Sequence, residues 1–264
     1  MNSDAIPRAG IPVRWDQWSG EVCETCADPA FQALWPRLDE WMDRSTRIHA
    51  RGRNRVVTIE PVVEGQPIAL TVKSHAAPGG VKGWWDARWG SKAHRAWRIA
   101  RAMEAAGVGT PKPVAFFEER RAGGRIGRSY FVTAFVPDRV SFRDELIRLY
   151  RTAPRCADVM ALLQTVADAV AAMHRAGIVH GDLGNQNILL RRTGPAAWAE
   201  VQIIDLNRAR LCPSPSLRMR ARDLSRLTLP SDLLRVFKAM VFGEIRPPRS
   251  FHRWEDFYRF LFAV

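Results

Sequence analysis

Between Ile178 and Leu190 the chain reads I-V-H-G-D-L-G-N-Q-N-I-L-L, which sets His180, Asp182 and Asn187 between an apolar helical run and an apolar strand. A second stretch, Val201–Arg210 (V-Q-I-I-D-L-N-R-A-R), adds Asp205 at the end of another apolar strand. The connecting Arg191–Glu200 contains Gly194 and Pro195, so the two strands read as a β-hairpin with Asn187 and Asp205 side by side at one end. Asn and Asp oxygens are hard ligands. They suit Mg²⁺, which binds through one or two carboxylates plus substrate phosphates and keeps several waters. Asp182 would face the same space, where it could take a proton from a substrate hydroxyl. Asp and Asn also favour turns for local hydrogen-bonding reasons, but these three, each flanked by apolar strand residues, point to a site.

The pattern H-G-D-L-x-x-x-N followed by I-I-D-L resembles the catalytic loop and metal-binding Asp of the protein-kinase-like superfamily, H-R-D-L-x-x-x-N and D-F-G. The D-L-N-R-A-R continuation and the G-x-x-T-P-x-P run at Gly107–Pro113 resemble the bacterial lipopolysaccharide core kinases, those of Kdo and heptose. The likeness covers Thr46 to Leu227. It implies a two-lobed α+β fold, with ATP as phosphoryl donor and Mg²⁺ as cofactor. By this resemblance Asp182 is the catalytic residue and Asn187 and Asp205 hold the metal. Lys73 holds the α- and β-phosphates, and backbone groups from Ala134 to Val136 read the adenine. His180 would fix the loop through hydrogen bonds, and Asp223 in R-A-R-D-L-S-R-L would brace it or form a surface ion pair. Gly181 stands where most protein kinases have Arg, and Gly184 where they have Lys, so an arginine must supply any charge needed there. Too few residues separate Asp205 from the helix near Arg220 for a long activation segment, and no A-P-E motif occurs. The resemblance therefore implies a small-molecule or glycolipid acceptor.

The elements that must position these residues can be read from periodicity. Pro29–Asp43 spaces Phe31, Leu34, Trp35, Leu38, Trp41 and Met42 as a short amphipathic helix, whereas residues 1–28 show no clear period. Thr46–Ala50 and Val56–Val63 form a hairpin around Arg51–Asn54, whose one glycine is Gly52. If this tip covers phosphates, Arg51, Arg53 and Arg55 replace glycines with charge; otherwise it is a basic turn in solvent. Pro67–Ser74 is a strand with Leu70 and Val72 on one face and Lys73 on the other. A loop holding Trp84, Trp85 and Trp89 leads to Ser91, which caps a helix over Lys92–Ala106. The superfamily's Lys-pairing Glu is expected where this chain has Ala96, which leaves Glu104, Asp86 or no partner for Lys73. Val114–Glu118 and Tyr130–Val136 are strands, and Arg155–Ala176 is a helix with an apolar stripe ending at Gly177. The run Phe251–Val264, with Trp254, Phe257, Tyr258, Phe260, Leu261 and Phe262, reads as buried against the helical lobe, with a membrane interface as the other reading.

Charge narrows the partners. The net charge is +13 with a pI near 10.7, and only five of 40 basic residues are Lys. Such a field favours anionic partners, and Arg is the better bidentate binder of phosphate and carboxylate. No motif supports nucleic acid. Cys23 and Cys26 form a lone C-x-x-C, read as reduced thiols that bind no metal. The first 18 residues lack an apolar leader, and no run of about 18 apolar residues occurs, so the expected location is cytoplasmic, possibly peripheral on the inner membrane.

These readings divide the chain into an extension (1–45), an N-lobe (46–136) and a C-lobe (137–264). They predict an ATP-dependent phosphotransferase acting on an anionic glycolipid sugar. One alternative is a small-molecule phosphotransferase of the aminoglycoside or choline kinase type. The other is a weak pseudokinase that binds an anionic membrane or a partner.

Overall fold

The computed structural model describes residues 10–50, 52, 54–79, 86, 88–152, 155–243 and 249–263, the side chains of 249, 262 and 263 excepted. Arg51, Arg53, Trp84, Trp85, the side chain of Phe262 and residues 1–9 of the extension lie outside them. The chain divides into two compact units: residues 1–102 with 111–136, and residues 103–110 with 137–264.

The first unit is a seven-stranded antiparallel sheet. In chain order its strands are β1 (Ile11–Trp15), β2 (Trp18–Val22), β3 (Arg47–Ala50), β4 (Asn54–Ile59), β7 (Leu70–His75), β8 (Pro113–Arg120) and β9 (Ile126–Ala134). The spatial order is β1-β2-β8-β9-β7-β4-β3, and the short pair β5 (Val62–Val63) and β6 (Gln66–Pro67) stands apart. Strands β1 and β2 fall in the stretch whose sequence shows no period. Their pairing is fixed by a tight turn with Asp16 at φ 42°, which stacks Trp15 and Trp18 at 6.2 Å.

The single helix expected over Pro29–Asp43 is broken into α1 (Pro29–Gln32), a 3₁₀ turn at Trp35–Arg37 and α2 (Leu38–Arg44). Pro36 explains the break, because it supplies no N–H and pushes the residue before it away from a regular helix. Leu34, Trp35, Leu38 and Met42 are still buried, so the apolar spacing survives the break. Arg55, read either as part of a phosphate flap or as part of a basic turn in solvent, is tied to the Asp43 carboxylate and the Met42 carbonyl, both at 2.5 Å. The helix α3 (Lys92–Ala105) starts at Ser91, whose hydroxyl accepts from His94 N–H at 3.1 Å. It covers the sheet with Trp97 and His94 against Phe116.

The second unit is mainly helical: α4 (Phe142–Arg151), α5 (Cys156–Arg175), α6 (Leu217–Leu224), α7 (Ser231–Phe242) and α8 (Arg249–Ala263). By length and composition α5 could cross a membrane, which a search for unbroken apolar runs misses. Its stripe Val159, Leu162, Leu163, Val166, Val170 and Met173 is buried in this unit, as a core helix requires. Three small ladders complete the unit. Strand β10 (Val140–Ser141) pairs with β12 (Ile188–Gly194), which forms a hairpin with β13 (Ala197–Ile203), and β11 (Ile178–Val179) pairs with β14 (Arg210–Leu211). The turn after α3 docks on the hairpin, where Gly109 accepts Ile203 N–H at 2.9 Å. A Cβ on Gly109 would sit 1.9 Å from the Val201 carbonyl, so this close approach demands glycine. The C-terminal run is not uniformly buried: Phe251 and Tyr258 are, whereas Trp254, Phe257, Phe260 and Leu261 are exposed.

Candidate active site

The loop after β11 is held from beneath by one carboxylate. Asp223 on α6 is fully buried and accepts three hydrogen bonds: His180 N–H at 2.8 Å, Gly181 N–H at 2.6 Å and His174 Nε2 at 3.1 Å. Of the two readings of Asp223, the brace is the one the geometry has; a surface ion pair is excluded by its burial. Gly181 turns the chain at φ 76°, and a Cβ there would lie 2.9 Å from the Arg208 carbonyl. The arginine common at this position in protein kinases would therefore be strained as well as crowded.

His180 is buried and its partners set its tautomer. Nδ1 accepts from Asp182 N–H at 3.2 Å, so Nε2 carries the proton and donates to the Ile204 carbonyl at 2.9 Å. The ring thereby joins the loop to the strand exit that leads to Asp205. The second connection is Asn187, whose Nδ2 donates to the Asp182 carbonyl at 2.9 Å, while its own carbonyl accepts Ile204 N–H at 2.9 Å. Ile188 opposes Ile203 at the mouth of the hairpin. Asn187 and Asp205 thus leave the two strands at one end, and Asp182 is bonded to the same framework.

Asp205 has left-handed backbone, φ 62° and ψ 53°, a conformation Asp tolerates better than most residues. Its Oδ1 accepts from Asn207 Nδ2 at 2.6 Å. Two guanidinium groups flank the Asp182 carboxylate: Arg208 Nη1 lies 3.3 Å from Oδ2 and Arg226 Nε 3.6 Å from Oδ1. Arg208 was visible in the sequence as one of several arginines after Asp205. Arg226 was missed, because nothing in the spacing ties a residue just beyond α6 to a loop 44 positions earlier. Asn185, also missed, is buried and locks the loop by a two-way bond with the Thr228 backbone, at 2.7 and 3.0 Å.

Among the described residues no group of three or more His, Cys, Asp or Glu could hold a metal ion. An ion here would rest on oxygens of Asn187 and Asp205 together with phosphate and water, the pattern of Mg²⁺ and not of a closed zinc site. With Asn187 Nδ2 committed to Asp182, its amide oxygen is the end left to act as ligand. The donor set fits Mg²⁺.

The remaining expected residues lie in the first unit. Lys73 is on β7, opposite Val56 on β4 and Phe131 on β9. Of its candidate partners, Asp86 pairs with Arg95 at 3.2 Å, and Glu104 is exposed. At the end of β9, Ala134 N–H donates to the Lys112 carbonyl at 2.9 Å and Phe135 N–H to the Ala69 carbonyl at 3.0 Å. Pro137, which follows Val136, has no N–H to donate.

The sheet unit and the helical unit with its His-Gly-Asp loop define a protein-kinase-like fold. The chain belongs to the lipopolysaccharide kinase (Kdo/WaaP) family, whose model matches residues 89–242. It is 30% identical over 138 residues to the lipopolysaccharide core heptose(I) kinase WaaP of Pseudomonas aeruginosa strain PAO1, an alignment covering 51% of each chain. The match thus spans about half of that curated relative. A solved structure of WaaP in complex with acyl carrier protein superposes with a TM-score of 0.63 at 25% identity, over 89% of this chain and 95% of that one.

Proposed function

We propose that this chain is an ATP- and Mg²⁺-dependent kinase that phosphorylates a sugar hydroxyl of the lipopolysaccharide inner core, with heptose the acceptor. Family membership and the heptose(I) kinase relative support the reaction class. The observation that carries the mechanism is the Asp182 carboxylate, held between two arginines on a loop braced by buried Asp223.

Phosphoryl transfer asks the protein mainly to position reactants and neutralise charge. The acceptor hydroxyl oxygen attacks the γ-phosphorus, the bond to the β–γ bridging oxygen breaks, and ADP leaves. The hydroxyl proton passes to the Asp182 carboxylate. Gly184 supplies no charge; Arg208 and Arg226, beside the Asp182 carboxylate, would supply it to the transferring phosphoryl oxygens. Bound Mg²⁺, on Asn187 and Asp205, would offset the charge of the β- and γ-phosphates. Lys73 would steer the α- and β-phosphates, and Val136 N–H would read the adenine. The two arginines favour an anionic acceptor over the cationic ones of aminoglycoside or choline kinases. The complex solved for the structural neighbour makes acyl carrier protein a candidate partner as well.

The test is γ-phosphate transfer to purified core lipopolysaccharide, with nucleotide binding measured by calorimetry. Asp182→Asn should lower kcat by about 10²- to 10⁴-fold, the range for a positioned general base, and still bind Mg·ATP. Asp205→Ala should lose Mg²⁺-dependent binding. Undiminished turnover by Asp182→Asn would refute the assignment.

A further inference from the structure

The helix α8 buries only a narrow stripe. Phe251, Glu255 and Tyr258 face the unit, where Lys238 of α7 meets Glu255 at 2.6 Å and Arg218 of α6 donates to the Tyr258 hydroxyl at 2.9 Å. At about 3.6 residues per turn, Trp254, Phe257, Phe260 and Leu261 share the arc facing away. They are 36%, 49%, 74% and 53% exposed. A helix of a water-soluble surface would place polar residues there. Two cations belong to this face: Arg253, itself exposed and set within the arc between Phe260 and Phe257, and Arg218 at its edge, exposed and stacked 4.7 Å over the Trp254 ring. The exposed acid of the helix, Asp256, falls on the polar flank with His252 and Arg259.

We propose that this face of α8 is a membrane-docking surface that lies in the interface of a bilayer containing anionic lipid. The side chains are those an interfacial helix uses: aromatic and aliphatic groups to enter the acyl boundary, and arginines among them to meet head-group phosphates. Arginine is compatible with this face because its stem can follow the apolar side chains inward while the guanidinium stays with phosphate. The arc is a convex ridge on one helix, a shape that inserts into a fluid surface. The surplus of 13 positive charges supplies attraction at longer range. The choice of a bilayer over a protein rests on the proposed glycolipid acceptor, which is itself anchored in lipid; the ridge and its cations do not depend on it.

The experiment is co-flotation of the full chain with vesicles of three parts phosphatidylethanolamine to one part phosphatidylglycerol, against vesicles of phosphatidylcholine alone. The wild type should float with the anionic vesicles. The Phe257→Glu/Phe260→Glu double variant should lose at least about tenfold in partitioning, since each buried aromatic side chain contributes on the order of a tenfold factor. Val62→Glu, which alters an exposed apolar residue of the first unit, should float like wild type. Arg253→Gln should weaken binding to the anionic vesicles only. Failure of wild type to float, or equal flotation of the double variant, overturns the proposal. So does a dimer that the double variant dissolves, which would assign the ridge to a second copy. Transfer to a deacylated, water-soluble core oligosaccharide separates the two readings. The double variant should match wild type on it. A wild type inactive there but floating through α8 would sink the kinase reading and leave the docking surface standing.

Discussion

Asp223 shows what a single buried carboxylate does for a catalytic loop. Fully out of water, it is the acceptor for two successive backbone N–H groups and for His174. Asp223→Ala leaves those donors buried and unsatisfied, each at roughly 1–3 kcal/mol, so a loss of about 3–5 kcal/mol is expected in urea unfolding. Asp223→Asn keeps the shape and one acceptor oxygen, and should cost less. A surface role would leave both variants within about 0.5 kcal/mol of wild type. The sequence identified the residue and its helix but not its burial, because R-A-R-D-L-S-R-L reads as a charged surface. Cys23 makes a similar point. The Cys26 thiol, which hydrogen-bonds to it, does most to lower its pKa to about 6; Thr25 and Lys112 add to this and burial opposes it. The thiol is buried, so alkylation would report opening of the chain; the ultraviolet absorbance of thiolate, taken as wild type minus Cys23→Ser, reads the titration instead and should rise through pH 6 and level off above it. A rise centred above pH 8 would contradict that environment.

At the scale of elements, the join between α4 and the hairpin β12–β13 is electrostatic. Glu145 on α4 is buried and receives Arg148 Nε at 2.7 Å and Arg192 Nη2 of β12 at 2.5 Å. Burial raises its pKa, but the hydrogen bonds from Arg192 and Arg148 outweigh that and hold it below the usual 4.5. A carboxylate whose folded pKa is depressed stabilises fully above its unfolded value and loses that contribution as pH falls through the folded one. Glu145→Gln should therefore cost about 1–3 kcal/mol at pH 7, the lower end because both arginines reach solvent. The gap from wild type should narrow below pH 4.5, and thermal melts across pH 3 to 7 would read it. A constant gap would remove the ionic account. The hairpin itself was legible, since two apolar runs around Gly194 and Pro195 leave little choice. So was the two-lobed α+β class, from strands up to Val136 and helices after it. The strands β1 and β2 were not, because Ile11–Val22 mixes Trp, Arg, Asp and Gly without alternation and forms by pairing along β8. The break in the helix at Pro36 was legible in principle, and the strong apolar spacing on either side masked it.

Across the whole molecule the dominant physical quantity is charge. A chain carrying 40 basic and 27 acidic side chains is surrounded by a positive potential that contacts alone do not describe. In the proposed reaction both substrates are anionic, so this field should raise the rate at which they arrive more than the rate of chemistry once bound. Salt separates the two effects. The Debye length shrinks from about 10 Å at 0.1 M to about 3 Å at 1 M, which removes long-range attraction and leaves close pairs such as Arg226 with Asp182 largely intact. With a water-soluble core oligosaccharide as acceptor, kcat/KM should fall about tenfold or more between roughly 0.05 and 0.5 M NaCl while kcat changes less than about twofold. A neutral sugar alcohol, if accepted at all, should show almost no salt dependence in kcat/KM. Should kcat fall in parallel with kcat/KM for the anionic acceptor, the salt would be acting on groups that touch the reacting phosphoryl. The excess arginine would then belong to the chemistry and not to capture.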